Sequence, residues 1–468
     1  MTNLNDRLKQ GKDARKNCSR SSQAAMGKIN RDPLPLIKTS SEGRIKSLVE
    51  LRYGRMLVSP FTFYRGNALL QAHDLAATPS MGLVSPICGD SHLMNFGGFA
   101  TPERNLLFSI SDFDEAHPGP WEWDLKRLVA SFVVAARDLR HGDTVEETVC
   151  RQVVGAYQQT MLECAEQSAM ETWYESISYR DLRQQASKAT LEHVERAIEK
   201  AERRTHAELL PKISERDAQG RLVIRDDLPE IFHLHENSTL LDADDDWLRL
   251  SHWRALYDAF MRDYPGTLQA DRRELLARFH VQDMAFKVVG VGSVGTRCLV
   301  ALLTDDQEFP LFLQFKEARR SVLASYVKTK SRVRHNGQRV VDGQRLMQSA
   351  SDLFLGWTTG PSGRHFYVRQ LRDMKVSAEL ETFDAKTFAA YGRVCGRALA
   401  RAHAKSSGNA AHISGYIGKS DALADALFKY AQSYTAQNDR DFERFQQASR
   451  KGRLRARSEA DFAADHLP

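Results

Sequence analysis

Asp90, His92, Asn95 and Asp112 have side chains and spacing that could do chemistry together. They lie in G-D-S-H-L-M-N-F-G-G-F, residues 89–99, and N-L-L-F-S-I-S-D-F-D-E-A, residues 105–116. Two short apolar runs, Ile87-Cys88 and Leu106 to Ile110, lead into acids or an amide and read as strand ends presenting oxygen ligands together. Phosphoryl transfer needs such a set. Asp90 would orient the attacking hydroxyl and take its proton, while Asn95 and Asp112 would hold Mg²⁺ against the phosphates. His92 would touch substrate or fix the loop, and Asp114 and Glu115 would assist the metal or serve structure.

Other elements must position these groups. The segment P-W-E-W-D-L, residues 120–125, opens a helix whose apolar face is Leu125, Leu128, Val129, Phe132, Val133, Ala136 and Leu139. Asp124 sits where it begins and is read as a cap or first-turn acid that satisfies free N–H groups. In Phe63-Tyr64-Arg65-Gly66 the bland reading is an aromatic anchor with a salt-bridged Arg65, and the functional one places Arg65 near phosphate or substrate. Far downstream, apolar residues flank Gly290-x-Gly292-x-x-Gly295, with Ser293 inside the loop. The run Thr296 to Val300 continues as strand, not helix, so the loop fits a phosphate cover between two strands better than a dinucleotide fingerprint. A third strand, Leu311 to Ala318, brings Lys316 in reach of nucleotide phosphates.

These residues carry a resemblance. G-D-x-x-x-x-N, a strand ending I-S-D-F-D and W-D-L opening a helix resemble the protein-kinase-like superfamily, nearest its aminoglycoside and choline phosphotransferase branch. The whole chain also resembles the bacterial domain-of-unknown-function family 2252 (DUF2252), which has no settled substrate. The resemblance implies an α+β, protein-kinase-like two-lobe fold with ATP and Mg²⁺ as cofactors. The glycine loop and lysine strand here follow the G-D loop, whereas the superfamily has them first, which implies a circularly permuted fold with a large helical insertion. A domain-swapped homodimer would give the same result. A kinase lysine usually pairs with a glutamate on the next helix, yet residues 318 to 378 hold no Glu; Asp342 is the nearest substitute and Glu317 a poorer one. Similarly, the helix ending L-A-R-A-H at His403 follows the G-D loop by about three hundred residues instead of preceding it.

The domain reading is a mobile basic tail over 1–30, a large helical lobe with the catalytic and metal loops plus the helical insertion over 31–280, a small β-rich nucleotide-binding lobe over 281–378, and helices returning to the large lobe over 379–468. Asp32-Pro33-Leu34-Pro35 reads as extended chain, and the basic run 449–457 as a solvated helix or frayed tail. The acids Asp242, Asp244, Asp245 and Asp246 raise calcium, but the Gly and terminal Glu of an EF-hand are missing. They also raise a cationic acceptor.

Bulk properties bound the partners. With 27% charged and 42% hydrophobic residues in 468, the chain fits a globular protein of two or three domains. A net charge of +6 suits an anionic ligand such as ATP without arguing for nucleic acid. The charged N-terminus lacks a signal-peptide core and no run spans a membrane, so a cytoplasmic location is expected. Six scattered cysteines, with no C-x-x-C, argue against zinc or disulfides. The expected function is an ATP- and Mg-dependent phosphotransferase acting on a small-molecule or protein hydroxyl. Transfer of AMP to protein is one alternative and a non-catalytic ATP-binding scaffold another. A metallophosphatase is disfavoured because further D-x-H and G-N-H segments are missing.

Overall fold

The computed structural model describes residues 3–236, 238–241, 243–371 and 374–466. Asp242, weighed above as a calcium ligand, lies outside them. The fold is mixed α+β, mostly helical, with several small antiparallel sheets. In chain order the strands are β1 (Val84–Ile87), β2 (Phe96–Ala100), β3 (Leu106–Ile110), β4 (His117–Pro120), β5 (Ser214–Arg216), β6 (Leu222–Ile224) and β7 (Ile231–Phe232). There follow β8 (His280–Lys287), β9 (Cys298–Thr304), β10 (Pro310–Glu317), β11 (Gly356–Thr359), β12 (His365–Gln370) and β13 (Val376–Ser377).

The largest sheet runs β11-β12-β10-β9-β8-β7, and each pairing is antiparallel. Side chains alternate between its faces. Leu299, Ala301, Leu303, Leu313 and Phe315 enter one apolar cluster, and Val300, Leu302 and Phe312 enter another. Strand β9 is therefore buried along its whole length, which is why its sequence is apolar without interruption. Strand β7 and the helices around Leu256 and Phe260 come from before residue 281, and Leu48 and Leu51 from the N-terminal third, so this sheet's core extends beyond residues 281–378.

The second body is a helical bundle around Trp121–Asp138, whose residues Trp121 to Ala136 are all buried. Helices Asp143–Glu166 and Ala385–Ser407 pack face to face beside it, with Gly396 against the Val153 backbone. Helix Ala422–Arg450 lies along the central helix. No helix of the described residues is long and apolar enough to cross a membrane.

Three local expectations are corrected. Residues 4–14 form a helix docked on Ala410–Ile417, Arg15 donates to the carbonyls of Tyr416 and Gly415 at 2.8 and 2.7 Å, and Gln23 is fully buried, so this stretch is not a free tail. Its charges occupy one face, and Gly11 lets the other approach the backbone of His412. Pro33–Ser41 is a helix, because Asp32 caps the Leu34 N–H at 3.1 Å and Pro33 takes the first helical position, where no N–H is needed. The basic run after Arg450 is neither solvated helix nor frayed: Leu454 is buried and Arg457 pairs with Glu50 at 2.8 Å.

Candidate active site

Strands β2 and β3 form an antiparallel pair in which Phe96 faces Ile110. Asn95 precedes the first strand and Ser111-Asp112 follow the second, so the hairpin base carries both metal-ligand candidates; Ser111 N–H donates to the Asn95 carbonyl at 2.8 Å. Asn95 thus stands at a strand start, not at a strand end. Its Nδ2 donates to the Asp90 carbonyl at 2.8 Å, which leaves Oδ1 as its group for a cation. Asp112, with a side chain 31% exposed, accepts the Asp114 N–H at 3.1 Å.

Asp90 sits on the loop after β1. The Arg127 guanidinium meets its Oδ1 from Nε at 2.8 Å and from Nη2 at 2.7 Å. Both contacts fall on one oxygen, so Oδ2 remains for a ligand. Burial pushes the Asp90 carboxyl up from its ordinary value, against the pull of Arg127. His92 is buried, and its Nε2 lies 3.9 Å from Asp90, beyond hydrogen-bond reach. Burial, reinforced by Arg65 and Arg127, holds its imidazole well below the usual range and therefore neutral. The backbone of His92 shapes the turn, since Asn95 N–H donates to its carbonyl at 2.8 Å.

Asp124 supports this loop from beneath. It lies in the first turn of its helix, as expected, but Pro120 occupies the cap and the carboxylate serves another segment. It accepts the Cys88 and Gly89 N–H groups at 2.8 and 2.9 Å and meets His403 Nε2 at 3.1 Å. Tyr157 hydroxyl lies 2.8 Å from His403 Nδ1. With an ionised acceptor on Nε2, that nitrogen carries the proton and Nδ1 accepts from Tyr157. Gly89 takes a positive φ of 81°, and a Cβ there would come within 2.4 Å of the Glu115 carbonyl, so glycine is required. The late-sequence His403 helix therefore does reach the G-D loop in space.

Across the cleft, β8 leads through the glycine loop into β9, strand to strand. Arg55 donates to the Gly290 carbonyl at 2.6 Å, and Ile45 N–H to the Gly295 carbonyl at 2.9 Å, so the N-terminal helices hold the loop at both ends. Lys316 on β10 is 3% exposed and pairs directly with Asp114, with Asp112 at 4.0 Å. Tyr367 hydroxyl donates to Asp114 Oδ1 at 2.9 Å, and Ser293 Oγ donates to Oδ2 at 3.4 Å. Burial opposes both charges, yet each partner wins: Lys316 is raised well above its usual range and Asp114 is lowered.

The acid that meets Lys316 is thus Asp114, not Asp342 or Glu317. Glu317 follows Lys316 on the strand and so points to the opposite face, where it pairs with Arg297 at 3.2 Å and Arg364 at 3.0 Å. The next helix, Asn336–Met347, turns Arg339 toward this loop instead of an acid. Its guanidinium donates to the Asp114 and Ala116 carbonyls at 2.8 and 2.6 Å. Asp245, raised as a calcium candidate, forms a buried pair with Arg297 at 2.6 Å.

A cavity of about 430 Å³ gathers Asp90, His92, Asn95, Asp112 and Asp114 with Gly290, Gly292 and Ser293. Neither Lys316 nor Gly295 lines it: Lys316 lies behind Asp114, and Gly295 packs against Arg44. Arg65 also lines it and forms no salt bridge among the described residues, unlike in the bland reading, while Phe63 and Tyr64 are the buried anchors. A larger cavity of about 860 Å³ lies behind the β2–β3 hairpin, lined by helix and insertion residues such as Tyr179, His193 and Arg397. None of the candidate residues borders it. Among the described residues no three His, Cys, Asp or Glu side chains converge as a metal cluster. An Asp–Asn pair completed by phosphate oxygens and water is the donor set Mg²⁺ uses.

In comparisons with known proteins, residues 44–448 match the family model described as "Uncharacterized protein conserved in bacteria (DUF2252)". No curated protein and no solved structure matches.

Proposed function

We propose that this chain, which belongs to the DUF2252 family, is an ATP- and Mg-dependent phosphotransferase acting on a hydroxyl group. The observation that carries the reading is the convergence of Asp90, Asn95 and Asp112 with the Gly290–Ser293 loop on one cavity beside Lys316, from segments about two hundred residues apart. Further support comes from the sheet. The glycine loop joins its first two long strands, the lysine is on the third, and a helix follows before β11 and β12; kinase-like phosphotransferases use that order. On this reading the chain is a circular permutation of that order.

Asn95 Oδ1 and Asp112 would hold Mg²⁺, which supplies charge neutralisation on the phosphates when bound. The loop N–H groups and Lys316 would face the same phosphates, Lys316 moving from Asp114 to them. Arg127 fixes Asp90 through Oδ1. A substrate hydroxyl held at Oδ2 gives that oxygen its proton and bonds the terminal phosphorus of ATP. The bond from that phosphorus to the bridging oxygen breaks, and its electron pair leaves with ADP.

Thermal unfolding with and without Mg-ATP, for wild type and Asp112→Ala, tests the reading. A ligand at about a hundred times its Kd adds about 2.7 kcal/mol, so a magnesium-dependent rise in melting temperature is expected in wild type and not in the variant. No shift with Mg-ATP would overturn the reading. Turnover with γ-labelled against α-labelled ATP then separates phosphoryl from AMP transfer.

A further inference from the structure

The same cavity is lined by five arginines, Arg44, Arg52, Arg65, Arg319 and Arg320. None of them takes part in an ion pair among the described residues; Arg320 is exposed, but Arg52 is buried and Arg44, Arg65 and Arg319 are half-buried, where a guanidinium ordinarily has a carboxylate partner. Their bonds go to neutral acceptors. Arg44 donates to the Ser40 and Val294 carbonyls at 3.0 and 2.7 Å. Arg52, only 1% exposed, donates to Ser41 Oγ at 2.8 Å and the Gly66 carbonyl at 2.7 Å. Arg319 reaches the Glu42 carbonyl, and Arg320 the Ala324 carbonyl at 3.1 Å. Among the described residues the buried Nε groups of Arg52 and Arg65 have no hydrogen-bond partner, nor does Nδ1 of His92, and the Arg65 guanidinium lies 5.7 Å from the centre of the Phe61 ring.

Most acids that line the cavity have other partners; Asp112, 4.0 Å from Lys316, and Asp90 Oδ2 stay open on the side assigned to magnesium and the hydroxyl. Asp90 is tied to Arg127, Asp114 to Lys316, and Glu317 to Arg297 and Arg364. Glu115 accepts the Val322 N–H at 2.7 Å, and Glu42 is exposed at the rim. Burial lowers the proton affinity of Arg44, Arg52 and Arg65, and Arg52 and Arg319 add repulsion at Arg44; the pulls of Asp90 and Glu381 on Arg65 and of Glu115 and Glu317 on Arg44 are too weak to reverse this. An anion with several oxygens would relieve that cost and fill the open donors, because a guanidinium fork matches phosphate geometry.

We infer that this wall is an anion subsite and that the acceptor is a hydroxyl compound bearing a phosphate monoester, its phosphate on Arg52, Arg65 and Arg319 and its hydroxyl toward Asp90. The assignment of the bound compound as acceptor rests on the phosphotransferase reading; the anion subsite does not. It reverses the cationic acceptor suggested by the acids near residue 245, since Asp245 is already neutralised by Arg297.

The test is calorimetric titration and thermal unfolding with inorganic phosphate and glycerol 3-phosphate, with glycerol as the neutral control. Each is measured with and without a non-hydrolysable Mg-ATP analogue. Variants are Arg65→Gln and Arg319→Gln, both of partly exposed residues, and Arg319→Lys, with cooperative melting as the folding control. Arg52 is too buried to serve. Both phosphate probes are expected to bind wild type and glycerol not to, with affinity falling at least tenfold in the glutamine variants and less in Arg319→Lys. The phosphate shift should add to that of the nucleotide analogue. Equal phosphate affinity in all variants overturns the subsite, and competition between phosphate and nucleotide overturns its assignment to the acceptor. Arginine-dependent phosphate binding without any Mg-nucleotide shift upholds the subsite and removes the phosphotransferase reading.

Discussion

Asp114 joins both walls of the cleft, because Lys316, Tyr367 and Ser293 all bring their polar groups to its carboxylate. Asp114→Asn leaves Lys316 a buried charge facing only the more distant Asp112, so a loss of roughly 3 kcal/mol is expected in denaturant unfolding at pH 7. The pH dependence has a definite sign. Lys316 holds the folded carboxyl below its ordinary value of 3.8, so the stabilisation is present above that pH and is lost as pH falls through the lower folded value. The wild-type advantage over Asp114→Asn should therefore disappear in strong acid; an advantage that persists there would contradict the pairing. Asp124 has a purely positioning role. Asp124→Ala strands two loop N–H groups and His403, for a cost of about 2–4 kcal/mol and weaker Mg-ATP binding, which the thermal shift measures together.

At the scale of elements, the short strands β6 and β7 are fastened to β8 by one half-buried histidine. His233 meets Asp226 at 2.6 Å and Asp283 at 3.0 Å, while Asp283 also accepts the Ile224 N–H at 2.6 Å. Burial works against the imidazolium, but the two carboxylates lift it to about 9. A raised folded value means that the contribution is complete below about 6.5, the unfolded value, and is lost as pH rises through about 9. Melting curves from pH 6 to 10 should show the gap between wild type and His233→Gln closing over that window. A constant gap would show that His233 does not ionise there. The glycine loop shows the reverse economy of side chains, since it is held through its carbonyls by Arg55 and by the Ile45 backbone. Arg55→Ala is expected to weaken Mg-nucleotide affinity several-fold while leaving phosphate binding at Arg319 in place.

Over the whole molecule, the two ends of the chain close the bundle. Helix Leu4–Ala14 crosses Ala410–Ile417 with Gly11 and Gly415 at the contact, and a Cβ at Gly11 would lie 2.0 Å from the His412 carbonyl oxygen. Backbone on the far side cannot yield as a flexible side chain would. Gly11→Val should therefore undock the helix, lower stability by about 1–3 kcal/mol and open Lys12 and Arg15 to trypsin. Limited proteolysis of both proteins checks this. A cleft closed by the Lys316–Asp114 pair within one chain predicts a nucleotide affinity that does not vary with protein concentration, and a swapped dimer predicts one that does.

The local sequence was enough to single out Asp90, Asn95, Asp112 and the Gly290–Ser293 stretch, which line one cavity, because each belongs to a short motif whose strand or turn context is written in adjacent residues. The helix at 121–138 and the apolar strands were legible for the same reason: periodicity is a property of neighbours in the chain. Pro33 and its capping aspartate are equally local: Pro33 alone favours extended chain, and it is the Asp32 cap that turns Pro33–Ser41 into a helix. What the sequence could not supply was pairing. Nothing near residue 316 names Asp114 as its partner, and nothing near Asp124 names His403, since those contacts depend on which faces of distant segments meet. The same holds for the arginines of the cavity, which form no ion pair among the described residues because most of the acids beside them are bonded to other groups. Only the packing of the N-terminal helices against the glycine loop placed them around one cavity.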